Sequence, residues 1–62
     1  MNEFRHIMRE LAEERQLYEE SVLKGNLDDF AEYKFLAGTI RGLVLAESIV
    51  TDLVQKLEKS DD

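Results

Sequence analysis

Apolar side chains recur along the N-terminal part of the chain at Phe4, Ile7, Met8, Leu11, Tyr18 and Val22, spaced by three, four and seven residues. At 100° per residue these positions fall within an arc of roughly 100°, the width of one core-facing helical stripe. The pattern predicts a first helix over about residues 3–24. Its opposite face is charged, and Arg9–Glu13, Arg15–Glu19 and Glu20–Lys24 stand at the i,i+4 spacing that supports a solvated helix. Arg15 falls inside the apolar stripe. The expected arrangement has its stem packed and its head in solvent; a paired arginine is the alternative.

One punctuation mark divides the chain, "KGNLDD". Gly25 stands where a helix C-terminus favours a left-handed residue, and Asn26 is a candidate N-cap for a second helix. Asp28 and Asp29 then lie in a first turn, where acidic groups suit the positive end of the helix dipole. Asp29 is a rival cap, since "DFAE" has the capping-box spacing to Glu32. The expected organisation is one domain spanning 1–62. A turn at 25–26 joins the first helix to a second at about 27–59, and a disordered tail covers 60–62.

The second helix has a different pattern. Phe35, Leu36, Leu43, Leu45, Ala46, Ile49, Val50, Leu53, Val54 and Leu57, with Gly38 and Gly42, occupy an arc of roughly 180° or more. A single antiparallel neighbour cannot cover so wide a face. Pairing outward from Gly25 sets Tyr18 near Tyr33, Leu11 near Ile40 and Phe4 near Glu47. A hairpin core of Phe4, Ile7, Met8, Leu11, Tyr18, Val22, Tyr33, Leu36, Ile40 and Leu43 is therefore expected. The same pairing leaves Ile49, Val50, Leu53, Val54 and Leu57 on an unpartnered C-terminal extension, a surface that invites a second protein.

Within this helix, "FLAGTIRGLVLAESIV" places Gly38, Gly42 and Ala46 four residues apart. Each helical glycine costs about 1 kcal/mol relative to alanine. A smooth ridge that lets another helix approach closely offsets that cost. The alternative is that the glycines receive bulky side chains of the first helix, such as Tyr18 or Phe4, within one hairpin. Glu47 lies at the edge of the apolar arc. It is expected to meet Arg5 or Arg9 of the first helix, or else to set register across a subunit seam with Arg41 or Arg5.

Composition bears on how such a hairpin is held. A chain of 62 residues without cysteine has no disulfide or thiolate site to supplement a small core, which leaves subunit association as the expected supplement. A two-fold dimer forming a four-helix bundle is the simplest form. With 14 acidic against 8 basic residues and a net charge of −6, direct binding to nucleic acid or an anionic membrane is not expected. No apolar run reaches the ~18 residues of a membrane span, and the charged N-terminus is unlike a signal peptide, so an intracellular location is expected.

No catalytic constellation emerges. "EFRH" gives Glu3 and His6 the Glu-x-x-His spacing of di-iron bundles, but both project away from the apolar stripe, and His6 is better placed to meet Glu10 in solvent. The pairs Glu13–Glu14, Glu19–Glu20 and Asp28–Asp29 diverge by about 100° on a helix and do not converge on one ion. Ser21, Ser48 and Ser60 have no histidine base nearby in the pattern. A protein without catalytic residues, metal or cofactor is expected.

The segment "GNLDDFAEYKFLAGTIRGLVLAESIVTDL" resembles a pattern in short open reading frames of tailed bacteriophages, in which an acidic turn leads into "AEY", a glycine-spaced helix and a terminal "DL". The resemblance covers about half the chain. It implies a small, helical, non-enzymatic viral protein of the host cytoplasm or the virion. The expected role is a self-associating interaction module, a virion assembly or accessory component. The alternative is an acidic inhibitor that binds a host protein through the apolar face of the second helix.

Overall fold

The computed structural model describes residues 2–25 and 29–60. The protein is an all-α helical hairpin: α1 spans Asn2–Leu23 and α2 spans Phe30–Ser60. α1 ends where Gly25 adopts a φ of 70° and its N–H donates to the Val22 carbonyl at 3.1 Å. Only glycine takes that left-handed conformation without a Cβ penalty.

α2 begins later than residue 27. The rival cap prevails: the Asp29 carboxylate accepts the Glu32 backbone N–H at 2.7 Å, satisfying one orphan donor of the first turn. The Asn26 cap and the contribution of Asp28 lie outside the described residues. From Phe30 the helix runs through Gly38 and Gly42 without interruption and includes Ser60, a residue the sequence assigns to the tail. Residues 61 and 62 lie outside the described residues.

The two helices meet along strictly alternating four- and three-residue spacings. On α1 the half-buried positions include Phe4, Met8, Leu11, Arg15, Tyr18 and Val22; on α2 they include Ile40, Leu43, Glu47, Val50 and Val54, and Leu36, also half-buried, continues the spacing past the end of α1. Both series are heptad seams, the geometry of knobs-into-holes packing. The register is fixed by Arg15 bonding Glu47 and by Val22 lying beside Ile40 in one shallow groove. A step forward on α1 is then a step back on α2, so Tyr18 comes level with about Leu43, Leu11 with Val50 and Met8 with Val54.

This register corrects the pairing outward from Gly25, which sets Leu11 near Ile40 and Phe4 near Glu47. α2 overshoots the end of α1. Leu23 comes level with about Thr39, so the stretch from Phe30 to Gly38 projects roughly 13 Å beyond α1 at 1.5 Å per residue. Among the described residues it is thus the N-terminal end of α2 that extends past its neighbour, and Val50 and Val54 belong to the hairpin seam.

The particle is a rod of 52 × 16 × 12 Å. Its radius of gyration, 14.9 Å, exceeds the roughly 10.6 Å of a compact domain of this length. Among the described residues none is fully buried, apolar or polar. Two helices in contact along one line each leave most of their circumference in water, so even the seam residues are only half-covered.

Candidate functional site

At the middle of the seam the Arg15 guanidinium bridges two carboxylates. Its Nε donates to Glu47 Oε2 at 2.6 Å and its Nη1 to Glu19 Oε1 at 3.0 Å. A longer bond of 3.4 Å from Nη2 to Glu47 Oε1 completes a forked contact. The Arg15 and Glu47 side chains retain only 25% and 23% of their exposure. The hydrogen bond to Glu47, then that to Glu19, raises the Arg15 pKa above its ordinary value, against an opposing effect of burial. Arg15 is therefore the paired arginine and not one whose head reaches solvent. Glu47 meets Arg15, not Arg5 or Arg9, because the register carries those residues toward the C-terminal end of α2. Of the three predicted i,i+4 pairs, Arg15–Glu19 is the one that closes.

A second apolar stripe runs along α2, about 120° around the helix from the seam. Phe35, Leu45, Ile49, Leu53 and Leu57 are exposed along it, Phe35 and Ile49 at 67% and 68%. Gly38 and Gly42 lie between them, and Ala46 is half-buried at its edge. A Cβ built at Gly38 or at Gly42 meets nothing within 4 Å. Neither glycine receives a side chain of α1, which removes the intramolecular explanation for the "GTIRG" spacing. The hairpin alone supplies no reason for two residues that each weaken a helix by about 1 kcal/mol.

The structure divides the predicted residues accordingly. Gly38, Gly42, Ile49, Leu53 and Leu57 share the outer stripe with Ala46 at its margin, whereas Val50 and Val54 turn to α1. Phe35 and Leu45 complete the outer stripe. Of the predicted core, Ile7 and Tyr33 are 43% and 45% exposed and stand outside the seam. Tyr33 instead lies on the projecting end, its ring stacked against Phe30 at 6.3 Å between centroids, with Lys34 Nζ 5.3 Å from the Phe30 centroid. The strict heptad, with Arg15 and Glu47 counted as members, is the signal that would have found both the seam and its register.

His6 reaches Glu10 at 3.6 Å on the solvent face of α1. Among the described residues no three histidine, aspartate or glutamate side chains group as metal ligands, and no helix is long and apolar enough to cross a membrane. The groove beside Val22 and Ile40 is open and shallow, bounded by Glu19 and Leu23.

Searches against protein-family models, curated proteins and solved structures found no match to this chain.

Proposed function

We propose that this chain is a non-enzymatic helical interaction module that self-associates through the outer stripe of α2, its α1 serving to stiffen and solubilise that helix. The carrying observation is the conjunction of two facts at one place. Large apolar side chains stand exposed along the stripe, and the two glycines among them meet nothing within the hairpin. Apolar area of this kind is the principal driving force for association. The resemblance of residues 25–53 to short phage open reading frames supports placing the module in a phage, as a virion assembly or accessory component.

The second reading, an acidic inhibitor of a host protein, uses the same stripe with a different occupant. It draws on the net charge of −6, which suits a basic target surface.

Sedimentation equilibrium on the wild type and on Gly42→Leu separates the two. Self-association is expected for the wild type, and Gly42→Leu is expected to shift the protein at least about tenfold in concentration toward monomer, a loss of some 1.4 kcal/mol in association. A wild type that remains monomeric at all concentrations would remove the first reading and leave the second.

A further inference from the structure

Resting on the self-association reading, we infer that the outer stripe receives a second copy of α2 running antiparallel, with the two-fold axis passing between Leu45 and Ala46.

Area argues for a second copy. The hairpin exposes 5094 Å², whereas a compact monomer of this mass exposes about 4,100 Å². The excess of roughly 1,000 Å² per chain is close to the ~800 Å² that each partner contributes to a stable interface of standard size. A symmetric contact along the stripe would bring the chain toward the exposure of an ordinary folded protein.

Side-chain size sets the direction. Along the stripe the small residues Gly38 and Gly42 lie toward the N-terminus, and the bulky Ile49 and Leu53 toward the C-terminus. A parallel pair sets glycine on glycine at one level and leucine on leucine about 22 Å away, which splays the helices apart. An antiparallel pair sets each small residue against a large one, keeping the axes at one separation and the contact dense. The register that opposes Gly42 to the partner's Ile49 also opposes Gly38 to the partner's Leu53. The helix projection places residues 45 and 46 on either side of the centre of the stripe at that level.

Charge does not favour the choice. This register brings Arg41 near the partner's Asp52, but Lys34 near the partner's Lys56 and the partner's Lys59 on the same flank. Packing therefore decides it.

The absence of cysteine makes a crosslinking test clean. Ala46→Cys, beside the axis, comes within the Cα separation of 4.4–6.8 Å that a disulfide bridges and is expected to link to its own copy. Leu53→Cys lies about 22 Å from its symmetry mate and is expected to give at least about tenfold less linked dimer. An equimolar mixture of Leu53→Cys and Gly38→Cys is expected to link across the pair; the open space at the Gly38 Cβ position admits the substitution. Circular dichroism checks that each variant keeps the wild-type helix content. Self-linking of Leu53→Cys as readily as Ala46→Cys in a sedimenting dimer would overturn the antiparallel direction while leaving self-association in place. A dimer in which Ala46→Cys does not link would overturn the axis. A wild type that is monomeric throughout would remove the self-association reading itself.

Discussion

The two faces of α2 differ in how they specify a neighbour. The inner face carries a heptad of half-buried residues interrupted by Glu47, which binds Arg15 of the facing helix. The outer face carries no charge at its centre, but two glycines among exposed large apolar side chains. On the inner face the seam contacts are individually alike, and slipping by one heptad would leave much of the apolar burial intact; a single forked ion pair distinguishes the correct register. On the outer face the placing of Gly38 and Gly42 on the N-terminal side of Ile49 and Leu53 would, in the proposed pair, distinguish one direction from the other. One helix thus uses chemistry to fix its intramolecular partner and, in the proposed pair, would use shape to fix a second.

The contrast can be broken on either side. Leu43→Ala removes an inner-face residue level with Tyr18 and is expected to lower the stability of the hairpin by about 2 kcal/mol, the low end for such truncations because the site is half-covered. Urea denaturation followed by circular dichroism at a concentration below association would register the loss; an unchanged midpoint would mean that the seam contributes no stability there.

Gly42→Ala is the sharper probe, because its two effects have opposite signs. In the dilute hairpin it is expected to stabilise α2 by up to about 1 kcal/mol, since alanine is the better helix former and its Cβ has open space. In the concentrated protein it is expected to weaken association by holding the helices apart. Helicity measured across a dilution series should therefore cross that of the wild type. Parallel curves with no crossing would show that close approach at Gly42 is not used.

The smallest expected change comes from replacing both members of the ion pair. With Arg15→Met and Glu47→Leu together, total stability is expected to stay close to wild type, because an apolar pair of similar volume avoids the desolvation of two charges. Either change alone is expected to destabilise, by leaving one half-covered charge without its partner. A double-mutant cycle reads the coupling directly; additivity of the two single changes would mean that the pair contributes nothing to register. Because the Arg15 pKa is raised, the stabilisation linked to its charge is fully present below the unfolded-state value. It is lost only as pH climbs through the folded one, far into the alkaline range.

The hairpin was legible in the sequence because helical periodicity and the Gly25 stop are local signals. Phe4, Met8, Leu11, Tyr18 and Val22 mark their shared face whatever α1 packs against. Register was not legible by the same means. Counting outward from Gly25 presumes that the helices begin pairing at the turn, whereas the Asp29 cap starts α2 late and the seam pairs Val22 with Ile40. The information was present in a non-local form: Arg15 and Glu47 each occupy a heptad position otherwise held by apolar residues, and their opposite charges match only in one antiparallel alignment. Treating Arg15 as a snorkelling surface residue conceals that match. The outer stripe was half-visible, since Gly38, Gly42, Ile49, Leu53 and Leu57 stand on it. Separating Val50 and Val54 from it required the register first.

The lack of any fully buried residue among those described has a consequence for dosage. If copies pair as proposed, association would add to the limited stability of a hairpin that hides so little of itself. The folded fraction would then rise with the amount synthesised. Scarce copies would be more open to proteases than abundant ones. Expression level would set a threshold below which the chain is degraded and above which it accumulates.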